Sequence, residues 1–326
     1  MDRASSKFVD ALAVRKLLNE KLLKVTHTPK QLSFCRQEKP FDALGKYSIH
    51  INDVKFRKER SCFELSSFIK TPLYRENEKV LLHYYPSENP IGNILFLHGL
   101  YDENIHNYAF LTRMLNIRGL NVFLMVLPYH FGRRPQESIF GGEFFISADM
   151  QRTYGAFRQS VFDVETCFQF ISHFSNLPCV LAGFSMGGCI AFRYYILKNN
   201  FPGVFLINPV TDLFTLVWRN PLMVAVRRDL KACGYGKRET SLVFRDLDPY
   251  KNICSNVNLG GVSVVYSEYD KIIGEEENRK FIKRITRKGV CNILKYHAGH
   301  LNILRVPKLS KDICDFFTRC ICGSKL

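Results

Sequence analysis

The chain has 326 residues, of which 46% are hydrophobic, and a formal net charge of +16, so it can bury a large core in one or two domains. No apolar run reaches the roughly 18 residues that a membrane-spanning helix needs, and charged side chains interrupt every N-terminal stretch that would act as a signal peptide. The basic residues are spread along the chain and match no nucleic-acid-binding module, so we expect no nucleic-acid partner.

The first predicted element is an amphipathic helix over residues 5–24, which a serine can cap at its start. Its apolar positions recur at helical spacing and are Phe8, Leu12, Leu18 and Leu22. Its charged face is basic, which allows peripheral contact with a membrane surface, although packing against the rest of the protein is the favoured interpretation. We expect residues 1–59 to form a helical extension that precedes the main domain.

From about residue 60, predicted strands and helices alternate, which is typical of a mainly parallel sheet covered on both faces. The predicted strands are Cys62–Ser66, Lys79–Tyr84, Asn93–Leu97, Asn121–Val126, Pro178–Phe184, Gly203–Ile207, Gly261–Tyr266 and Val290–Tyr296. The predicted helices are Asn107–Arg118, Arg152–Phe174, Met186–Lys198, Glu276–Lys288 and Pro307–Cys320. The fold class is therefore α/β, with about eight strands flanked by helices.

One interval, at about residues 211–256, breaks this alternation. A long connection without strands is usually functional, so we predict a small helical cap over the active site. The interval contains the apolar cluster Leu213, Phe214, Leu216, Val217 and Trp218. Leu213 and Trp218 are predicted to line a pocket for an acyl chain.

The most informative pattern is G-x-S-x-G at residues 183–187, directly after the apolar run 179–182 and directly before a helical segment. A tight turn from a buried strand into a helix requires small residues two positions either side of the serine. Such a turn holds the hydroxyl of Ser185 clear of the sheet, beside the helix N-terminus and the backbone N–H of Met186. Ser185 is the predicted nucleophile.

A serine nucleophile needs a base, and the base needs an acid that orients it. Asp270 and His300 each follow a predicted strand, so both should lie at the sheet edge that carries Ser185. His297 remains an alternative base, and Glu268 and Asp212 remain alternative acids. Gly299 favours His300, because glycine allows its loop to approach closely.

With Ser185, Asp270 and His300 in that chain order, the chain resembles the α/β-hydrolase superfamily over about residues 60–320. The branch that it resembles is poorly characterised. The resemblance implies a catalytic triad of these three residues and a hydrolase domain over 60–326. It also implies an oxyanion hole from the backbone N–H groups of Leu100, in the His-Gly-Leu turn at 98–100, and Met186. His98 is then expected to shape the turn.

A second motif, at residues 127–135, follows the predicted strand Asn121–Val126 and should also reach the catalytic edge. Its Arg133 and Arg134 are candidates for bidentate binding of a phosphate or carboxylate group of the substrate. The alternative is that one of them pairs with an acid such as Glu137 or Asp149 and holds the loop.

The cysteines and the last residues bear on cofactors and compartment. The 11 cysteines are scattered, with no Cys/His set at metal-ligand spacing, so we expect no metal and no cofactor, and a reducing, cytoplasmic location. The last three residues, Ser324-Lys325-Leu326, match a peroxisomal import signal, which has meaning only in a host with peroxisomes.

Together these features predict a serine hydrolase that cleaves a small carboxylic ester or thioester through an acyl-enzyme. The alternatives are a catalytically silent hydrolase fold used for binding, and a lipase or acyl-CoA thioesterase that acts on anionic lipids. The sequence leaves the acyl-chain length, the leaving group and the oligomeric state open.

Overall fold

The computed structural model describes residues 3–26, 39–198, 201–253, 257–289 and 292–322. Within these residues a single sheet of nine strands forms the centre of the molecule. The strands are β1 (Lys55–Arg57), β2 (Cys62–Ser66), β3 (Lys79–Tyr85), β4 (Gly92–Leu97), β5 (Leu120–Met125), β6 (Cys179–Phe184), β7 (Val204–Ile207), β8 (Val262–Ser267) and β9 (Asn292–Tyr296).

The strand order is β1-β2-β3-β5-β4-β6-β7-β8-β9. β1, β2, β3 and β5 pair antiparallel, and every pair from β5 to β9 is parallel. β4 and β5 are buried along their whole length, as their continuous apolar sequences predict for strands covered on both faces. The carboxyl ends of the parallel strands therefore meet at one edge of the sheet.

The described helices are α1 (Arg3–Glu20), α2 (Ala109–Asn116), α3 (Met150–Phe174), α4 (Met186–Lys198), α5 (Leu213–Arg219), α6 (Val224–Ala232), α7 (Lys237–Phe244), α8 (Glu275–Thr286) and α9 (Pro307–Cys322). Side chains of α2 and α9 form the apolar core on one face of the sheet, and those of α3, α4 and α8 belong to the core on the other. The predicted α/β class with a mostly parallel sheet is confirmed. Among the described helices, none combines the length and the apolar character that crossing a membrane requires.

Three short helices, α5 to α7, lie within the interval that was predicted as a cap. The edge strand β1 was not predicted, because its three residues, Lys55–Arg57, are all exposed and carry no apolar alternation. The predicted strand Val290–Tyr296 is observed from Asn292, since residues 290 and 291 lie outside the described residues. The predicted import signal at 324–326 also lies outside them.

Helix α1 differs from its predicted orientation. Two of its predicted core positions, Phe8 and Leu12, are 66% and 53% exposed, whereas Ser6 and Asp10 are completely buried. The helix ends at Glu20 and continues into a 3-10 turn at Leu22–Lys24. Contact of its outer face with a membrane surface stays a prediction.

Candidate active site

Ser185 lies in the turn between β6 and α4, where its backbone is left-handed with φ of +54°. The two glycines of the motif are required by backbone contacts. A Cβ atom on Gly183 would lie 2.4 Å from the carbonyl oxygen of Gly187, and one on Gly187 would lie 2.3 Å from that of Leu97. Any larger residue would push β6, β4 and α4 apart, so the spacing of the motif follows from the tightness of the turn.

Three side chains from three strand ends form one hydrogen-bonded chain. The Oγ atom of Ser185 lies 3.0 Å from Nε2 of His300, and Nδ1 of His300 lies 2.7 Å from Oδ2 of Asp270. All three residues are buried. This is the geometry that an activated serine requires, with a base in reach of the hydroxyl and an acid that orients the base.

The Asp270 carboxylate is held on both of its oxygens. Oδ2 faces His300, while Oδ1 accepts hydrogen bonds of 2.8 Å from the N–H groups of Ile272 and Ile273. Burial lowers the pKa of His300, but the charge of Asp270, its hydrogen bond and the charges of Asp10 and Asp102 outweigh burial and raise the pKa above its usual value. These carboxylates therefore favour the protonated form of His300.

The alternative acids and base lie elsewhere. Glu268 sits 2.6 Å from His297 Nδ1 and 2.6 Å from Lys295 Nζ, in an exposed cluster. Asp212 caps α5 by accepting a 2.8 Å hydrogen bond from the N–H of Thr215. The structure thus brings Ser185, His300 and Asp270 together. The alternative residues Glu268, Asp212 and His297 are not part of this hydrogen-bonded set.

The two predicted oxyanion donors lie close to Ser185, and their role stays a prediction. Met186 is the first residue of α4, and the first N–H groups of an α-helix have no acceptor within the helix. Leu100 follows β4 and lines the cavity that contains Ser185.

His98, in the same turn as Leu100, is buried. Its Nε2 accepts a 3.0 Å hydrogen bond from the N–H of Leu127, so its Nδ1–H donates to the carbonyl of Gly99, 2.8 Å away. Burial lowers the pKa of His98 well below its usual value, which agrees with a neutral, turn-shaping residue.

The cavity at Ser185 has a volume of about 290 Å³. Its cap side is apolar and consists of Leu216, Leu222 and Met223. Helix α1 and the residue after it supply another wall, with Ala13, Val14, Lys16, Leu17, Glu20 and Lys21. The cavity at Ser185 therefore lies between the cap and the N-terminal segment.

The predicted cap residues Leu213 and Trp218 do not line this cavity, which corrects their predicted role. Leu213 is buried in the protein core, and the indole N–H of Trp218 donates a 2.7 Å hydrogen bond to Thr240 of α7. The hydrogen bond of Trp218 joins α5 to α7 within the cap. Leu216 is the member of the same apolar cluster that faces Ser185, since a helical turn points neighbouring residues in different directions.

Arg133 does not have the predicted substrate-binding role. Its side chain is completely buried, and Nη2 lies 2.8 Å from Oδ2 of Asp163 on α3. It also donates hydrogen bonds to the carbonyl oxygens of Val126 and Asn77, at 2.8 and 2.9 Å. Arg133 thus forms an ion pair that holds its loop, as the alternative interpretation expected. Its partner is Asp163, however, and not Glu137 or Asp149. Arg134 is exposed and lies outside the cavity of Ser185, so a substrate role for it stays a prediction.

We expect Arg133→Gln to lower the free energy of unfolding by about 3–5 kcal/mol, because it leaves the buried Asp163 carboxylate without its cation. Denaturant unfolding of both proteins measures this loss. Turnover per folded molecule should fall equally on neutral and on anionic esters. A selective loss on anionic esters would contradict the structural role.

Two carboxylates near the site were missed by sequence reasoning. Asp102 follows the His-Gly-Leu turn, and its Oδ2 accepts hydrogen bonds from the N–H of Gly99, at 3.0 Å, and from the hydroxyl of Tyr108. Burial raises the pKa of Asp102 to about 6. Its closeness to the turn in sequence is the signal that would have found it, whereas Asp10 on α1 has no such signal.

Among the described residues, no three His, Cys, Asp or Glu side chains lie together in a group that could hold a metal ion.

A family model described as serine aminopeptidase, S33, matches residues 88–246. No curated protein sequence matches the chain. Among solved structures, it is similar to an acylaminoacyl peptidase of Pyrococcus horikoshii, with 13% identity, a TM-score of 0.59 and coverage of 88% of this chain and 44% of that one. An esterase of Pyrococcus furiosus has 14% identity and a TM-score of 0.53, over 90% of this chain and 99% of its own. A monoglyceride lipase of Saccharomyces cerevisiae has 15% identity and a TM-score of 0.50, over 74% and 92%. At such identities these likenesses establish a shared fold.

Proposed function

We propose that this chain, which has the fold of the α/β-hydrolases, is a serine hydrolase of carboxylic esters or thioesters. The observation that carries the proposal is the hydrogen-bonded chain from Ser185 through His300 to Asp270. A fold alone does not imply an activity, but this arrangement of a serine, a base and an acid around a cavity matches the requirements of acyl transfer.

In the proposed reaction the Oγ of Ser185 attacks the acyl carbonyl while Nε2 of His300 takes the hydroxyl proton. The N–H groups of Leu100 and Met186 donate to the negatively charged oxygen of the tetrahedral intermediate. His300 then protonates the leaving alcohol or thiol, and an acyl-enzyme remains on Ser185. A water molecule then attacks the acyl carbonyl while His300 takes its proton. His300 returns that proton to the Oγ of Ser185 as the bond to the acyl group breaks and the carboxylic acid leaves.

The cavity narrows the class of acyl group. A volume of about 290 Å³ is at the lower end of the range of roughly 300–1,000 Å³ that small-molecule sites cover. The apolar wall of Leu216, Leu222 and Met223 favours an aliphatic acyl chain, because its methylene groups are buried against that wall. We therefore propose short to medium acyl chains.

Labelling by a fluorophosphonate, followed by hydrolysis of p-nitrophenyl esters, acyl thioesters and peptide p-nitroanilides, tests this function. We expect labelling, and turnover of esters or thioesters with an optimum in acyl-chain length. Faster turnover of peptide anilides would assign a peptidase, the activity named by the matching family model and by one of the similar structures. Absence of both labelling and turnover would favour the catalytically silent alternative.

We expect Met223→Ala or Leu216→Ala to shift the chain-length optimum toward longer acyl groups, because each removes part of the cavity wall. The ratio of kcat/KM between a longer and a shorter ester should change about tenfold, since one methylene in an apolar pocket is worth roughly 1–3 kcal/mol. Trp218→Phe is the control, because Trp218 lies in the cap but not on the cavity. An altered profile in the control and not in the other two would contradict the proposed acyl site.

A further inference from the structure

Helix α1 is attached to the site at several points. Its inner residues line the cavity of Ser185, and Lys21, just after the helix, forms an ion pair with Glu103 in the loop after β4. Further along, the carbonyl oxygen of Val25 accepts a 2.6 Å hydrogen bond from Arg228 of the cap helix α6. The N-terminal segment is therefore joined both to the loop that carries Leu100 and to the cap.

The strongest attachment is Asp10, a completely buried carboxylate on the inner face of α1. Its Oδ2 accepts hydrogen bonds from the backbone N–H groups of His300, at 2.7 Å, and Lys271, at 3.2 Å. Its Oδ1 accepts a third from Leu301, at 3.2 Å. One side chain thus binds the loop after β9, which carries His300, and the loop after β8, which carries Asp270.

A second contact fixes the same loop against α1. A Cβ atom on Gly299 would lie 2.8 Å from the carbonyl oxygen of Ser6 and 2.9 Å from Oδ2 of Asp10. The amide of Asn302 accepts a 2.6 Å hydrogen bond from the N–H of Gly299 and donates one of 3.1 Å to Oγ of Ser6. The close approach that the glycine before His300 permits is therefore an approach to α1.

We propose that Asp10 is a positioning residue, which holds His300 and Asp270 at hydrogen-bond distance by fixing the backbone of both of their loops. The inference rests on the proposed function, since it assigns Asp10 a part in the same reaction without contact to the substrate. It also assigns α1 to the working site, although the sequence suggested an extension outside the main domain.

The cost of burying Asp10 supports this role. A carboxylate taken out of water is unfavourable unless hydrogen bonds replace the water, and burial raises the pKa of Asp10, which its three backbone hydrogen bonds oppose. An apolar side chain would pack α1 against the protein without that cost. Of the three N–H groups that donate to Asp10, one belongs to the proposed base, His300, and the others belong to the residues directly after the base and the acid. At such positions a displacement of about 1 Å lowers turnover roughly 100-fold.

Three substitutions separate the geometry of Asp10 from its charge. Asp10→Asn keeps the size but removes the charge and one of the two acceptor oxygens, so at least one of the three N–H groups loses its partner. Asp10→Glu keeps the charge but adds a methylene where Gly299 leaves no room. Gly299→Ala keeps Asp10 and its charge but pushes the His300 loop away from α1.

The measurements are kcat and KM on the best ester, with active enzyme counted by fluorophosphonate titration. We expect all three variants to lower kcat by about 10- to 100-fold with little change in KM, because the misplaced groups act on the chemical step. Asp53→Asn, at an exposed carboxylate, is the matched control and should behave as wild type.

The pH profile adds a readout that a purely structural role would not move. The charged groups that act on His300 are Asp270, Asp10 and Asp102, and all three raise its pKa. Since the base must be neutral, the rate rises with pH through the pKa of His300. Asp10→Asn should move this rise in rate to lower pH, because one of the carboxylates that raise the pKa of His300 is lost. Asp10→Glu and Gly299→Ala keep the charge, so the rise should stay at the same pH while kcat falls.

Wild-type kcat in all three variants, with only a lower melting temperature, would overturn the positioning role and leave the proposed function intact. If one variant does not fold, the remaining two decide, because each of the three disturbs the same contact by a different change. A wild-type protein that neither reacts with fluorophosphonate nor turns over esters would refute the proposed function itself, before Asp10 is tested.

Discussion

Replacing Ser185 with Ala is expected to lower ester hydrolysis by up to about 10⁶-fold and to abolish fluorophosphonate labelling, because the attacking oxygen is lost. The protein should remain folded. Alanine fits the space of serine, and both residues carry the same strain at the left-handed φ of +54°. Labelling on a gel and circular dichroism of the two proteins measure these outcomes.

Ser310→Ala provides the matched control for that experiment. Ser310 is also buried, but its hydroxyl donates to the carbonyl oxygen of Pro307 within α9, away from the cavity. The control should keep full labelling and turnover. Labelling that persists in Ser185→Ala would show that another nucleophile reacts, and the proposed function would then lose its central residue.

The parts of the site that were predictable are those fixed by local backbone constraints. The elbow at Ser185 needs glycines at 183 and 187 because backbone atoms approach within 2.4 Å of where a Cβ would lie, and this requirement is visible as a short motif. Asp270 and His300 were identifiable because each follows a strand, and parallel strands place their carboxyl ends at one edge. Topology alone thus brought distant residues together.

Asp10 was not predictable, because nothing near it in sequence shows its partners. The backbone N–H groups that donate hydrogen bonds to it lie 261, 290 and 291 residues away along the chain. The amphipathic pattern instead pointed to Phe8 and Leu12 as buried positions, and both are exposed. The orientation of α1 is set by hydrogen bonds to two loop backbones, which hydrophobic periodicity does not report.

Arg133 shows a different limit. Its position after β5 predicted the correct region of the fold but not the direction of the side chain. The backbone of Tyr129 and Phe131 is left-handed, with φ of +64° and +45°, so the chain turns sharply between the strand and Arg133. Alternation of side chains is lost at such turns, and the guanidinium points inward to Asp163 on α3.

The assignment of the acid gives the second large expected effect. Asp270→Asn should lower kcat by about 10⁴-fold, because an amide facing Nδ1 of His300 favours the wrong tautomer of the base and no longer stabilises the imidazolium. The NH₂ group of the asparagine replaces one of the two carboxylate oxygens. In one orientation it takes the place of the oxygen that accepts two backbone hydrogen bonds, and in the other it takes the place of the oxygen that faces His300, so a partner is lost in either case.

Glu268→Gln is the matched comparison, two residues away on the same loop. Its carboxylate binds His297 and Lys295 at the surface, where an ion pair contributes roughly 0–1 kcal/mol, so turnover should stay near the wild-type value. Steady-state kinetics of both variants on one ester compare the two carboxylates directly. A greater loss in Glu268→Gln than in Asp270→Asn would mean that the loop rearranges during the reaction, and that the chain of hydrogen bonds from Ser185 to Asp270 is not the working arrangement.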